Sequence, residues 1–171
     1  MTLLDPQRKP LALAAAIVLV IGIGGIGGAW AFQIIADMVP CPLCLQQRWP
    51  YYLGLPLAAI SLGFLFSSAS TAVPRVLLGI TALLFLGGAA LGAYHSGVEW
   101  HWWPGPSDCA AGAGAPESAA GLLRQMERTR VVRCDEAAWR FLGLSFAGYN
   151  VLLSLAIVGL IGWALKAGKK A

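Results

Sequence analysis

Charge is what this sequence has least of. Only 12% of its 171 residues are Asp, Glu, Lys or Arg, whereas 58% are hydrophobic. A soluble domain has about 25% charged and about 45–50% apolar residues. This chain therefore has too few polar side chains to cover a surface exposed to water. That excludes an ordinary soluble domain and predicts a membrane protein.

The sequence also lacks a basic patch, although its formal net charge is +4. Nucleic-acid-binding domains gather Lys and Arg into a patch or stripe on one face. Here the basic residues are scattered among the termini and the segments between apolar runs, with no interleaved aromatic residues. We therefore expect no nucleic-acid partner, and lipid as the main surrounding of the chain.

Four long apolar runs contain most of the hydrophobic residues. They cover residues 11–35, 49–66, 76–94 and 146–165, and none contains Asp, Glu, Lys or Arg. Each is close to the ~20 residues that a helix needs to cross the ~30 Å hydrocarbon layer. Because isolated runs in lipid must satisfy their own backbone polar groups, they form helices. The sequence predicts an all-α membrane protein, a bundle of four transmembrane helices in one domain over residues 1–171.

Small residues are concentrated in the first run. Gly24 and Gly28 form a GxxxG pattern there. In membrane bundles this pattern is typical of a face where two helix backbones approach closely. Gly22, Gly25 and Gly27 add to this small surface. We therefore expect these glycines to lie in a close helix–helix contact.

Basic residues at the ends of the runs indicate the orientation in the membrane. They are Arg8, Lys9, Arg75, Lys166, Lys169 and Lys170. Because Lys and Arg accumulate in cytoplasmic loops, both termini and the 67–75 loop are expected in the cytoplasm. The loops at about 36–48 and 95–145 then face outward. In a bacterium this means a multi-pass protein of the inner membrane with two periplasmic loops.

The second outward loop is long enough to contain structure of its own. From Pro116 it has a helical pattern that places Leu122, Leu123 and Met126 on one face. Such a segment can lie flat at the bilayer surface, and it can equally pack on the bundle as a short helix. A short interfacial helix is the prediction for this part of the loop.

The four cysteines all fall in the two outward loops: Cys41 and Cys44 in the first, Cys109 and Cys134 in the second. An oxidising compartment permits disulfides there. Four cysteines allow three connectivities, of which pairing within each loop is the simplest. A Cys₄ zinc site is an alternative, but structural zinc sites combine two closely spaced pairs, and Cys109 and Cys134 are far apart. We predict no metal.

Redox chemistry has more support, because a cation and a helix start lie close to one cysteine. The reactive form of cysteine is the thiolate, whose pKa falls beside a cation or at a helix N-terminus. Cys44 lies near the start of the second run, and Arg48 follows four residues later. Since Pro50 suits the first turn of a helix, Cys44 lies either inside that helix or just before it. Arg48 alone could also be an interfacial anchor.

Two outward dithiols on one membrane protein suggest an electron relay. The pair in the long loop can meet a soluble partner, and the pair at the bilayer edge can meet a compound dissolved in lipid. Thiol–disulfide exchange proceeds by thiolate attack through mixed disulfides. A quinone is the lipid-soluble acceptor of two electrons in bacterial membranes, so the pattern suggests a relay whose electrons can reach a quinone.

Two segments carry a resemblance to a known family. PCPLCLQQRWPYY from residue 40 and CDEAAWRFLGLSFAGYN from residue 134, with the four-helix layout, resemble the DsbB family of bacterial disulfide-bond formation proteins. The resemblance implies an enzyme that reoxidises a periplasmic DsbA-like thioredoxin-fold protein and passes the electrons to ubiquinone or menaquinone. It covers nearly the whole chain.

The resemblance also implies roles for the cysteines. Cys44 would contact the quinone as a thiolate, and Cys109 would form the mixed disulfide with the partner. Cys134 would then release Cys109 by forming a disulfide with Cys41. All four cysteines are therefore candidate catalytic residues.

Two further residues are implied to bind the quinone, Arg48 and His95, and Cys44 belongs to this group as well. His95, at the end of the third run, could equally be a helix-end residue. Some members of the family carry an acid just before the arginine, where this chain has Gln47. That departure puts in doubt any role for a carboxylate at this position.

Two other functions remain open. A quinone reductase of the vitamin K epoxide reductase type is also a four-helix bundle with a Cys-x-x-Cys, but there the order of the two pairs is the reverse. The other is a non-catalytic membrane scaffold stapled by disulfides or zinc, which explains the outward cysteines but not the arginine beside a dithiol.

Overall fold

The computed structural model describes residues 5–67, 70–106 and 134–170. In this part of the chain the helices are α1 (Arg8–Ile35), α2 (Pro42–Gln46), α3 (Trp49–Phe66), α4 (Ala72–Glu99) and α5 (Phe146–Lys170). Two short strands, β1 (Arg140–Phe141) and β2 (Leu144–Ser145), precede α5. Cys109 and the helical pattern that starts at Pro116 lie outside the described residues.

Four segments of the described chain are helical, long and apolar enough to cross a membrane: α1, α2 with α3, α4, and α5. The predicted fold class, a four-helix membrane bundle, is confirmed, and the chain is a multi-pass membrane protein. The helices run beyond several of the apolar runs, because backbone hydrogen bonds continue where side chains become polar. α4 extends to Glu99 rather than ending at 94, which places His95 inside a helix.

The bundle is a ring in which each long helix has two neighbours. α1 packs on α3 and α5, and α4 packs on the same two helices, so that α1 and α4 lie diagonally opposite. The fully buried apolar side chains include Leu11, Val18, Leu65, Leu78, Phe85, Ile157 and Ile161. They lie in the half of the bundle that contains the start of α1 and the end of α5. This half is the packed hydrophobic core.

Basic side chains close the end of the bundle below this core. Arg8 at the start of α1 donates a 3.3 Å hydrogen bond from Nη1 to the Leu65 carbonyl near the end of α3. Arg75 near the start of α4 donates to the Gly168 carbonyl in α5. These contacts bring the ends with basic residues together, at the opposite end of the bundle from Cys41.

The close helix contacts are not where the GxxxG pattern predicted them. A Cβ atom added at Gly24 or Gly28 would have no heavy atom within 4 Å, apart from its own helix. The prediction was wrong for Gly24 and Gly28, because this face of α1 borders an open space, and for Gly27, which has no such neighbour either. It holds for Gly22 and Gly25, where an added Cβ would meet Leu55 and Tyr51 of α3. Close approaches also occur at Gly54, where a Cβ would lie 2.9 Å from Phe85 Cε2, and at Gly88, 2.9 Å from Pro50 Cγ.

A tight hairpin, not foreseen in the sequence, leads into α5. β1 and β2 pair antiparallel, with Arg140 opposite Ser145. The two residues between the strands, Leu142 and Gly143, have φ angles of 49° and 82°. Positive φ at both positions is the geometry of a type I′ turn, which matches the twist of short hairpins. The hairpin fixes the position of Ser145 at the cysteine end of the bundle.

The contact at Gly54 predicts a loss of stability in Gly54→Ala. The new methyl group would crowd the buried Phe85 ring, and overpacking of this kind typically costs about 1–3 kcal/mol. Gly63→Ala, in the same helix and with no heavy atom within 4 Å, is the matched control. Denaturant unfolding in detergent should show a lower free energy of unfolding for Gly54→Ala only, and equal values would contradict the packing described.

Candidate redox site

The dithiol is built into the start of a short helix. Cys41 is the N-cap of α2, and its Sγ accepts a hydrogen bond of 3.2 Å from the Cys44 backbone N–H. Pro42 occupies the first turn, where its missing N–H costs nothing. Cys44 therefore lies inside a helix of its own, which ends before Arg48 and α3 begin. Both cysteines are free, and their Sγ atoms are 2.7 Å apart.

The backbone N–H at the start of α2 therefore donates to the sulfur of Cys41 and not to that of Cys44. A hydrogen bond from the Cys44 thiol lowers the pKa of Cys41 well below that of an ordinary thiol. Burial opposes this shift, and His95 and the Cys44 backbone N–H add to it. Since the thiolate is the nucleophile, Cys41 is the member of the pair that the described geometry favours as an anion.

Cys134 lies beside Cys41 although it is distant in sequence. The Sγ atoms of Cys41 and Cys134 and a ring nitrogen of His95 all lie within 4.8 Å of one another. Cys134 is fully buried and disulfide-bonded. A free sulfur is thus close to a disulfide sulfur, which is the arrangement that thiol–disulfide exchange requires. Among the described residues this group consists of two cysteines and a histidine, and Cys109 lies outside them.

His95 is held in place from both sides of its ring. Its side chain is buried, with 3% of its surface exposed. Nδ1 lies 2.7 Å from Gln47 Nε2, so the amide donates and Nδ1 accepts. Nε2 lies 3.9 Å from Cys41 Sγ and 3.9 Å from Glu99 Oε1. The neutral ring then carries its proton on Nε2, facing a sulfur and a carboxylate.

A chain of hydrogen bonds fixes the amide of Gln47. Its Oε1 accepts from Asn150 Nδ2 at 2.8 Å, and Asn150 Oδ1 accepts from the Tyr51 hydroxyl at 2.7 Å. The chain joins α3, α5 and α4 through the residue that stands before Arg48. Gln47 therefore orients His95, a role that the sequence did not suggest.

Glu99 is a residue of this site that sequence reasoning missed. It is the last residue of α4 and is buried, with 6% of its surface exposed. The Ser145 hydroxyl donates to its Oε2, and Arg140 Nη2 donates to its backbone carbonyl at 3.3 Å. The sequence does contain a sign that Glu99 lies beside His95. Residues four apart share a helix face, and Glu99 follows His95 by four. The apolar run ended too early to include it.

Arg48 is buried and lines a cavity inside the bundle. It lies at the start of α3 and donates from Nη1 to Gln33 Oε1 at 2.8 Å. Its guanidinium carbon lies 5.4 Å from the centre of the Trp30 ring, a cation–π contact. Within the described ranges no carboxylate lies at salt-bridge distance from Arg48. The contacts of its guanidinium among the described residues are with the neutral side chains of Gln33 and Trp30.

The cavity has a volume of about 510 Å³ and lies among α1, the start of α3 and the start of α5, above the packed core. This volume is within the range of small-molecule sites, about 300–1,000 Å³. Its apolar wall contains Gly24, Gly25, Gly28, Phe32, Trp139, Phe146 and Leu153. Its polar side contains Gln33, Cys44, Gln47, Arg48, His95, Glu99 and Asn150. Of the two free cysteines, Cys44 borders the cavity and Cys41 faces Cys134.

Aromatic rings from α1, the hairpin segment and α5 form one wall of this cavity. The Phe32 and Phe146 ring centres are 4.7 Å apart, edge to face, and Trp139 stacks on Phe146 at 5.2 Å. Trp102 and Trp103 are not part of this wall. Trp103 instead stacks on Tyr94, with ring centres 6.0 Å apart.

Fold and site together define the class: a multi-pass helical membrane protein with a free dithiol beside an apolar cavity. The comparison with protein families makes the assignment specific. The chain belongs to the DsbB family, described as Disulfide bond formation protein DsbB, whose model matches residues 10–164. The resemblance found in the sequence is thereby confirmed.

Individual relatives are similar over most of their length. An uncharacterized protein of Rickettsia prowazekii is 28% identical over 151 residues, which is 87% of this chain and 84% of the relative. Disulfide bond formation protein B of Hahella chejuensis is 28% identical over 154 residues, 82% and 84% of the two chains. The protein of that name from Polaromonas naphthalenivorans is 27% identical over 180 residues, 96% and 94% of the two chains. No solved structure gives a significant match.

The hydrogen bond between the two thiols predicts how the reactivity of Cys41 depends on its neighbour. Cys44→Ala removes the donor, so the pKa of Cys41 should rise, and each unit of rise lowers the thiolate fraction about tenfold at a pH below it. Cys44→Ser retains a hydroxyl donor and should preserve most of the shift. The measurement is the alkylation rate of Cys41 against pH, read by mass spectrometry. Identical profiles for the two variants would contradict the assigned cause.

Proposed function

We propose that this protein is a quinone-dependent thiol oxidase of the bacterial inner membrane. It reoxidises a periplasmic DsbA-like thioredoxin-fold protein and passes the electrons to ubiquinone or menaquinone. The observation that supports this most is the position of Cys44, which borders the apolar cavity while its partner Cys41 lies beside Cys134. The sulfurs thus form a path from the second loop to a site open to an apolar ligand.

The path consists of disulfide exchanges that conserve electrons. Cys109 forms a mixed disulfide with the partner protein as the Cys109–Cys134 bond breaks and Cys134 leaves as a thiolate. Cys134 then attacks Cys41, the Cys41–Cys44 bond breaks, and Cys44 leaves as a thiolate at the cavity. Attack of the partner's second thiolate on its own sulfur in the mixed disulfide releases Cys109 and the oxidised partner. Cys109 then attacks Cys134, restoring their bond and freeing Cys41.

The cavity fits a quinone head group by its chemistry. A bound quinone accepts two electrons and two protons, with two carbonyl oxygens that accept hydrogen bonds. Arg48 presents guanidinium N–H groups without a carboxylate partner in the described ranges, so it can donate to such an oxygen. The aromatic wall of Phe32, Trp139 and Phe146 suits a flat ring. Gly24 and Gly28 leave the space in which the ring would lie.

The orientation belongs to the same proposal. Arg8 and Arg75 lie at the end of the bundle opposite the cysteines. By the positive-inside rule that end is cytoplasmic, and the cysteine end is periplasmic. This side is the oxidising one, where a DsbA-like partner is present.

The decisive experiment measures quinone reduction by the purified protein in detergent, with a reduced DsbA-like protein as donor. We expect quinone absorbance to fall in step with oxidation of the donor, and Cys44→Ser to abolish both by removing the sulfur at the cavity. Full quinone reduction by Cys44→Ser, or none by the wild type, would refute the proposal. Thiol oxidation without quinone consumption would indicate another acceptor.

The glycine face of α1 allows a test of the cavity itself. Gly28→Leu should fill part of the space in which the ring lies and raise the KM for quinone roughly tenfold or more, a change of about 1.4 kcal/mol. Gly27→Leu is the matched control, because Gly27 also has no heavy atom within 4 Å but does not border the cavity. The KM for the protein donor should stay the same in both. Equal quinone KM values for the two variants would place the quinone elsewhere.

A further inference from the structure

Glu99 is a buried acid that the electron path does not use. An ionisable residue within a membrane span is costly and is by default a candidate for function. The Glu99 carboxylate accepts from the Ser145 hydroxyl, and its Oε1 lies 3.9 Å from His95 Nε2. In residues 5–67, 70–106 and 134–170, no Lys or Arg lies at salt-bridge distance from this carboxylate. Its closest donor is therefore a neutral hydroxyl, and the positive charge of Arg140 acts on it only from beyond salt-bridge distance.

One N–H group is placed between two possible anions. Gln47 holds Nδ1 of His95 as an acceptor, so the ring proton is on Nε2. That nitrogen is 3.9 Å from Cys41 Sγ and 3.9 Å from Glu99 Oε1. It can donate to the carboxylate or to a thiolate on Cys41, but not fully to both. The two groups therefore compete for a single donor.

Competition for this donor links the charge of Glu99 to the redox state of Cys41. Cys41 is close enough to the Glu99 carboxylate to repel it electrostatically when it is a thiolate. Two buried like charges disfavour each other, so that one of them binds a proton. In a disulfide Cys41 is neutral, and Glu99 can keep its charge. As a thiolate Cys41 takes the charge and the His95 N–H, and Glu99 becomes neutral.

We propose that Glu99 is the proton-coupling residue of the dithiol, binding one proton when the Cys41–Cys44 disulfide is reduced and releasing it when the disulfide forms. Reduction breaks the S–S bond with two electrons from the incoming dithiol. One proton binds to Cys44 and one to Glu99, and Cys41 remains a thiolate. Reoxidation returns two electrons and two protons. In the physiological cycle, which rests on the proposed function, these go to the quinone.

The remaining groups around Glu99 do not replace it. The titratable or charged side chains near its carboxylate are Cys41, Cys44, His95 and Arg140. Cys134 is disulfide-bonded in this structure, and Ser145 is neutral. Arg140 stays charged throughout, and His95 is a donor in both states. The dithiol and Glu99 are therefore the groups whose proton content changes.

The test is the pH dependence of the reduction potential of the Cys41–Cys44 pair, in full-length, quinone-free protein equilibrated with thiol redox buffers. Each proton taken up with two electrons changes the potential by about 30 mV per pH unit, a tenfold change in the equilibrium constant. The wild type should show two protons near neutral pH, and Glu99→Gln should show one. The reduced fraction of each cysteine is read by alkylation and mass spectrometry.

Two controls separate proton binding from a structural effect. Glu99→Asp keeps a carboxylate and should keep the second proton. Asp37→Asn should also keep the second proton. Asp37 is exposed and lies outside the cavity, and asparagine tolerates its positive φ. An unchanged proton count in Glu99→Gln would overturn the proposal. A Glu99 with only a structural role would leave the change of reduction potential per pH unit as it is in the wild type.

A second measurement does not depend on a folded variant. The infrared difference spectrum of wild-type protein, reduced minus oxidised, should gain the band of one protonated carboxyl group. Absence of the band would overturn the proposal. Neither measurement uses quinone, so this proposal can fail while quinone reduction is observed, and it can hold if the electron acceptor proves to be another compound.

Discussion

The hydrogen bond between Gln47 and His95 is the contact on which the rest of the site depends. It joins the short connection between α2 and α3 to α4, and through Asn150 it reaches α5. Because the dithiol stands on α2, this bond holds the cysteines against the bundle. It also decides which nitrogen of His95 carries the proton. A single amide thus fixes both the position of the sulfurs and the direction in which the imidazole donates.

The bundle is divided into a closed half and an open half by the sizes of its side chains. Toward the termini, large aliphatic and aromatic side chains such as Leu11, Leu65 and Phe85 fill the centre. Toward the cysteines, Gly24 and Gly28 of α1 face an open space, whereas Gly54 and Gly88 each admit a neighbouring side chain. The same residue type therefore permits close packing at one place and an empty volume at another. The fully buried apolar side chains lie in the first half, and the second half contains the cavity.

Much of this could be predicted from the sequence, and the exceptions have physical reasons. Length and hydropathy determine the four spans, and Gln33, the polar residue of the first run, proves to contact Arg48. The role of Gly24 and Gly28 could not be predicted, because spacing alone does not say which helix face meets a neighbour. Glu99 was missed because hydropathy ends a run where the polar residues begin, whereas the helix continues. Gln47 looked like a departure from a pattern, and only its partners His95 and Asn150 reveal its use.

Cys41 caps α2 with the same atom that takes part in the proposed exchange. Loss of a side-chain cap typically costs a helix about 0.5–2 kcal/mol. In the proposed relay the Cys41 sulfur bonds to Cys134, which would draw it away from the Cys44 N–H and leave the first turn of α2 without this acceptor. Return of the free sulfur would restore the cap. The first turn of this five-residue helix would thus be loosened and tightened once in every cycle, so that a covalent change at one sulfur would also change the backbone at Cys44 on the cavity wall.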